Sequence, residues 1–246
     1  MSGSVTGLDA VFHSPEALRL NARRLEHLAS LGLPVEGRRV LEVGAGIGDL
    51  SEFFLDRQCR VTVTDGRREN VAAAASALAH CRRAETGFLH LDSLPRQPAA
   101  RHEIVFCYGV LHLLSKPAKA IEYMAAATTD CLLLECEVSF GEEPLSRNEP
   151  ASVEGPAGPL SGGQCRPTRR WVFDRLAARL PHVYMPTTQP CHPHFPVDWR
   201  SEPETASPAR AVFVASRWTI TSDRLLSDLP SVQERFERPV PPTDRA

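Results

Sequence analysis

Two periods of hydrophobicity divide this chain. From residue 39 onward, short β-branched and apolar runs alternate with longer stretches in which apolar positions recur every three or four residues. The runs predict strands at 39–43, 60–64, 86–91, 103–107 and 130–137, and the longer stretches predict helices at 49–57, 67–79 and 116–128. These strands are apolar on both faces, as in a parallel sheet covered by helices on each side. Ahead of them, Ser14, Pro15 and Glu16 read as an N-cap, a first-turn proline and a first-turn acid. Leu18, Asn21, Leu25 and Leu28 follow at helical spacing until Gly32 and Pro34 end the helix. Farther on, Thr168 opens a helix with Val172, Leu176 and Leu180 on one face, and 182–186 with 211–220 predict an antiparallel pair closing the sheet.

The pattern fails between 141 and 165, where five glycines and four prolines leave almost no apolar periodicity. An unstructured insertion of that length inside a compact domain points to a lid or a substrate-facing loop. The chain therefore divides into an N-terminal cap helix within 1–35, an α/β domain over 36–220 carrying the 141–165 insertion, and a charged tail at 221–246. Leu225–Leu229 has the composition to dock, and the last residues are expected to be disordered.

The turn after the first strand carries the chemistry. Gly44, Gly46 and Gly48 stand at every second position, with Glu42 before them and Asp49 behind. Glycine lets backbone N–H groups approach a ligand closely and permits positive φ, while the following helix offers unpaired N–H donors. A dinucleotide loop would place its third glycine at 49. The acid found there suits a zwitterion carrying a sulfonium better than a pyrophosphate. Asp65 ends the second strand about 20 residues after the first glycine, the place of an acid that holds a ribose diol. Asp92 and Ser93 follow the third strand, where a carboxylate is suited to accept from an adenine amino group. Each acid alone also fits a turn or N-cap role.

The stretches VLEVGAGIGDL (40–50), VTVTD (61–65), LHLDSL (89–94) and EIVFCYGVLHLL (103–114) resemble the class I S-adenosylmethionine-dependent methyltransferases, over about residues 36–140. The resemblance implies a Rossmann-like α/β fold, a seven-stranded, mostly parallel sheet with an antiparallel last strand and helices on both faces. It implies that Gly44, Ala45, Gly46 and Gly48 approach the methionine part of the cofactor, with Glu42 also among the cofactor-binding residues. Asp65 and Gly66 would hold the ribose, Asp92 and Ser93 the adenine, and Tyr108 and Gly109 would flank the methionine moiety. The product would be S-adenosylhomocysteine. An N-terminal helix in such proteins folds over the cofactor, which makes His13 and Asn21 candidates to face the site.

Methyl transfer from a sulfonium needs alignment, and a hydroxyl acceptor needs its proton removed as well. His112 is the first candidate base, since it follows the fourth strand at the carboxyl edge of the sheet. His192 and His194, stiffened by Pro190, Pro193 and Pro196, form a second cluster beside Asp198 and Trp199. Their spacing lacks the pattern of strong metal motifs, so no metal is expected. Glu135 and Glu137 share one face of the fifth strand, which makes at least one of them a candidate to look into the cleft, although exposed strand-end carboxylates are the favoured reading. Arg166, Arg169 and Arg170 offer a guanidinium fork for an anionic substrate.

Composition narrows the partners. A formal net charge of −2, with arginines scattered in pairs, carries no nucleic-acid footprint. The longest apolar segment is far too short to span a bilayer, and the N-terminal stretch lacks the basic and apolar regions of a signal peptide. Seven cysteines without a C-x-x-C pair predict reduced thiols in a cytoplasmic protein. The expectation is a monomeric or homodimeric enzyme acting on a small molecule, with O-methylation favoured. The rivals are a protein or RNA methyltransferase, a nicotinamide-dependent oxidoreductase, and a methyltransferase-like scaffold without turnover.

Overall fold

The computed structural model describes residues 5–150, 155–202 and 208–238. In chain order its elements are α1 (Val5–Phe12), α2 (Pro15–Ser30), β1 (Arg39–Val43), α3 (Ser51–Asp56), β2 (Arg60–Asp65), α4 (Arg68–Ala77), β3 (Ala84–Phe88) and β4 (His102–Tyr108). A 3-10 turn (Leu111–Leu113) leads to α5 (Pro117–Ala127) and β5 (Thr128–Val138), and then to β6 (Ser146–Pro150) and β7 (Gly163–Pro167). The chain continues with α6 (Arg169–Ala177), β8 (His182–Pro186), β9 (Thr188–Gln189), β10 (Ala209–Ser216), β11 (Leu225–Leu226) and β12 (Glu234–Arg235).

The main sheet runs β11-β8-β10-β5-β4-β1-β2-β3. Strands β3, β2, β1, β4 and β5 are parallel, and β10 inserts antiparallel between β5 and β8. Eight strands are present where seven were expected. The eighth, β11, comes from the tail, whose Leu225 and Leu226 pair with Pro186 and Met185 at the sheet edge. The tail also pairs β12 with β9, so residues up to 238 belong to the folded body, and the expected terminal disorder falls on 239–246, outside the described residues.

Helices cover both faces of this sheet. Ile121 and Met124 of α5 and Trp171 and Leu176 of α6 fill one core layer, while Leu28 of α2, Phe54 of α3 and Ala74 of α4 fill the other. Phe54 meets Phe106 of β4 edge-on at 5.0 Å. Both expected caps form: Ser14 Oγ accepts from Ala17 N at 3.3 Å, and Thr168 Oγ1 accepts from Trp171 N at 3.2 Å. Among the described residues, no helix is long and apolar enough to cross a membrane.

Three differences from the sequence reading have physical causes. Helix α3 starts at Ser51 rather than 49 because Gly44, Gly46 and Gly48 hold φ of 70°, 58° and 95°, which keeps the turn out of helical geometry through Gly48. Strand β3 ends at Phe88, where its pairing with Asp65 ends, so Asp92 lies in the loop beyond. The 141–165 insertion is not structureless, since β6 and β7 pair antiparallel from Ser146↔Pro167 to Pro150↔Gly163. This hairpin is held by its ladder and by contacts of single residues, such as Cys165 Sγ to the Leu111 carbonyl at 3.2 Å, so its sequence shows no apolar alternation.

Candidate active site

Strands β1, β2 and β4 end together, and the loops leaving them enclose a cavity of about 370 Å³. This is the carboxyl edge of a doubly wound sheet, where such folds bind ligands. The glycine loop forms one wall. A Cβ on Gly44 would stand 2.3 Å from Val110 Cγ2, and one on Gly46 would stand 2.7 Å from Phe12 Cε1. Both positions therefore require glycine on steric grounds as well as on φ. Ala45 N donates to the Thr64 carbonyl at 2.9 Å, which ties the loop to β2.

Asp65 ends β2 inside the cavity. Its Oδ2 accepts from Gly46 N at 2.9 Å, and its Oδ1 accepts from Arg67 N at 2.7 Å and Asn70 Nδ2 at 3.2 Å. Burial pushes its carboxyl above the usual carboxylate range, and these donors oppose that shift. Asp92 also lines the cavity, yet its carboxylate serves the chain, with Oδ2 accepting from Ser115 N at 3.1 Å and Oδ1 from Lys116 N at 2.9 Å ahead of α5. Gly66, Tyr108 and Gly109 are at the cavity wall; Gly48 and Ser93 are not among its lining residues. Glu42 lies behind the loop instead of in the cavity. Ser51 Oγ donates to its Oε2, and burial pushes its carboxyl up to about 8.

Two further segments close the space. Helix α1, for which the sequence carried no signal, packs Phe12 over Gly46, and His13 Nε2 lies 3.2 Å from Asp49 Oδ1. From the insertion, Leu160 lies over Gly66, where a Cβ would stand 2.3 Å from Leu160 Cδ1. Asn70 Nδ2 donates to the Pro156 carbonyl at 3.1 Å, and Arg67 Nη2 donates to that of Gly158 at 3.2 Å.

The far end of the cavity is polar and strongly cross-linked. Arg24 Nη2 donates to Glu135 Oε2 at 2.6 Å, and Arg210 Nη1 donates to Glu135 Oε1 at 3.0 Å. Arg210 Nη2 donates to Glu137 Oε1 at 2.5 Å. Burial pushes the Glu135 carboxyl up, but the two guanidiniums outweigh it and hold the group below its usual range. Glu135 is 0 % exposed, which corrects the expectation of a solvated strand-end carboxylate. Asn21 lines the cavity and accepts from Arg24 Nη1 at 3.0 Å. The Tyr108 hydroxyl and the Nε of Arg24 find no hydrogen-bond partner among the described residues.

His112 reaches this cluster, whereas His192 and His194 do not line the cavity. The latter two rings meet edge-on at 4.6 Å, and burial holds His192 down to about 4. Arg169 does not form the expected fork. It donates to the Pro230 carbonyl at 3.0 Å and stacks over Trp199 at 3.9 Å. Arg170 lies 3.8 Å from Asp174 of its own helix. The sequence reading missed Arg24 and Arg210. Arg210 had a signal, a lone cation inside the apolar run Ala-Arg-Ala-Val-Phe-Val, whereas Arg24 reads as half of a surface pair.

Comparison with known proteins agrees with this architecture. A family model described as a Methyltransferase domain matches residues 41–130, from β1 into β5. The Ubiquinone biosynthesis O-methyltransferase of Bordetella avium (strain 197N) is 30% identical over 108 residues, 44% of this chain and 45% of that protein, so the match spans under half of either. The N-terminal domain of EvdMO1, solved in the presence of SAH and D-fucose, superposes with a TM-score of 0.62 at 17% identity, over 80% of this chain and 82% of that one. Magnesium protoporphyrin IX methyltransferase (ChlM) from Synechocystis PCC 6803, with bound SAM, gives 0.55 at 14% identity, over 88% and 92%. These two likenesses are of fold. The matched Methyltransferase domain runs through the strands that carry the glycine loop, Asp65 and the Tyr108–Gly109 wall of the cavity, and in these features the chain is similar to methyltransferases.

Proposed function

We propose that this protein transfers the methyl group of S-adenosylmethionine to a hydroxyl of a small molecule and releases S-adenosylhomocysteine. The observation that carries the reading is one cavity joining the glycine loop and Asp65 at one end to the Glu137–Arg210 pair at the other. The residues present fit the cofactor. Gly44 and Gly46 leave a backbone cradle that a Cβ would fill, and a carboxylate with about four acceptor sites can take a ribose hydroxyl beyond the three donors Asp65 already holds. Arg24 sits beside Gly109, 2.9 Å from where a Cβ would be, and its unpartnered Nε offers a donor to the carboxylate of the methionine moiety. Gly66 and Asp92 line the adenine side. With Asp92 already capping α5, its contribution there is to fix the loop.

When bound, the cofactor supplies a methyl carbon already activated by its sulfonium. The chain's own task is alignment, worth about 7–11 kcal/mol of barrier for well-oriented reactants. Phe12 over Gly46 and Leu160 over Gly66 cover the two ends of the glycine and ribose wall. The likeness to an O-methyltransferase and a carboxylate in the acceptor wall favour a hydroxyl acceptor.

Calorimetry with S-adenosylhomocysteine and with NADH tests this reading. We expect binding of the first alone, with an Asp65→Ala loss of more than tenfold. Tight NADH binding, or an affinity that Asp65→Ala leaves unchanged, would reject it.

A further inference from the structure

Two carboxylates stand two residues apart on β5 in opposite circumstances. Glu135 is 0 % exposed, and each of its oxygens accepts from an arginine. Glu137 lines the cavity with its side chain 30 % exposed, and its two neighbours meet the same atom: Arg210 Nη2 donates to Oε1 at 2.5 Å, and His112 Nε2 lies 3.4 Å from it. A carboxylate offers about four acceptor sites on two oxygens. Both of these contacts fall on Oε1, so among the described residues Oε2 is the acceptor that this wall presents to a ligand.

His112 is bound differently from a base. Its Nδ1 accepts from the backbone N–H of Glu137 at 3.3 Å, so that lone pair is occupied and the proton of the neutral ring sits on Nε2, toward the Glu137 carboxylate. Burial first, then the charges of Arg210 and Arg24, push the imidazole well below its usual value, which keeps it neutral. The ring therefore grips residue 137 by main chain and side chain together.

We propose that Glu137 takes the proton of the acceptor hydroxyl, with His112 and Arg210 as the positioning residues that aim it. The assignment rests on the methyltransferase reading above. In the step, the hydroxyl oxygen forms a bond to the methyl carbon as the carbon–sulfur bond breaks and its electron pair stays on sulfur. The O–H proton passes to Glu137 and from there to solvent. The acceptor class follows: a neutral hydroxyl compound, because an acceptor without a removable proton has no use for the carboxylate. Among the described residues, the charged and titratable groups around Glu137 and its His112 neighbour are Arg210 from β10, His112 from the turn after β4, Arg24 from α2, Arg166 from β7 and, farther off, His194.

The test uses the full chain with S-adenosylmethionine and two hydroxyl probes, catechol and methyl glucoside. For a probe that is methylated, we expect Glu137→Gln to lower kcat by about 10²–10⁴-fold, the usual worth of a positioned base. KM and S-adenosylhomocysteine affinity should stay within about threefold, and Glu137→Asp should recover part of the rate. His112→Asn, which loosens the grip on residue 137, should also lower kcat while KM stays within about threefold. Calorimetry on the protein loaded with S-adenosylhomocysteine should show Glu137→Gln binding the probe within about fivefold of wild type, and Glu137→Ala about tenfold or more weakly. A Glu137→Gln protein of undiminished kcat, or a wild type that binds S-adenosylhomocysteine but methylates neither probe, overturns the proposal. A wild type that fails to bind S-adenosylhomocysteine overturns the methyltransferase reading itself.

Discussion

Replacing Glu42 by glutamine should stabilise this protein, and more so as the pH rises. Glu42 is 2 % exposed behind the glycine loop, and its carboxyl is pushed from an ordinary 4.5 up to about 8. Burial is the main cause; Asp49 adds to it and Ser51 opposes it. Between those two values the folded protein retains a proton that the unfolded chain has released. The folded state binds more protons there, so stability falls as pH rises through the window and levels off above the folded value. At about 1.36 kcal/mol per unit, the wild type has lost about 3 kcal/mol by pH 7 and less than about 1 kcal/mol at pH 5. Glutamine keeps the shape and an acceptor for Ser51 Oγ but does not titrate. Urea denaturation of both proteins at pH 5, 6, 7 and 8 measures the difference, and its slope with pH is the diagnostic because any loss in the Ser51 contact is constant. A difference that stays flat across this range would show that Glu42 is ionised in the fold, and the reasoning would be wrong.

Other perturbations give outcomes of the same kind. Glu135→Leu leaves Arg24 and Arg210 buried without their shared carboxylate and should cost about 3–5 kcal/mol in a denaturant titration, whereas Arg24→Met/Glu135→Leu/Arg210→Met should recover most of it; a Glu135→Leu protein within 1 kcal/mol of wild type by that estimate would contradict the ion-pair account. Gly44→Ala would place a Cβ 2.3 Å from Val110 Cγ2 at a φ of 70°, and we expect S-adenosylhomocysteine affinity to fall more than tenfold with the fold retained by circular dichroism. Thr168→Ala removes the cap of α6 and should lower stability by about 1 kcal/mol; an unchanged denaturation midpoint would show that other groups satisfy Trp171 N.

The sequence by itself determined most of the parallel half of the sheet, because β1, β2, β4 and β5 are largely buried and announce themselves as apolar runs bounded by turns. The edge strand β3, by contrast, is half-exposed and lies two to three residues before its expected range. Strand β1 at Arg39–Val43 and β8 at His182–Pro186 match their predicted ranges. The glycines of the cradle and Asp65 were legible for a related reason: backbone conformation and close approach restrict residue type locally, whatever packs around them. The tertiary structure alone decided which groups a carboxylate meets. Glu135 and Glu137 differ only in register along β5, yet one is sealed between arginines of α2 and β10 and the other faces the cavity. Asp92 reads as a ligand group and meets the N–H groups of Ser115 and Lys116, which lie 23 and 24 residues away. His112 reads as a base and meets the backbone of a strand 25 residues on. Charge and hydrogen bonding act over a few ångströms between segments far apart in the chain, so periodicity places such side chains on a face but leaves their partners, and therefore their protonation, to the assembled fold.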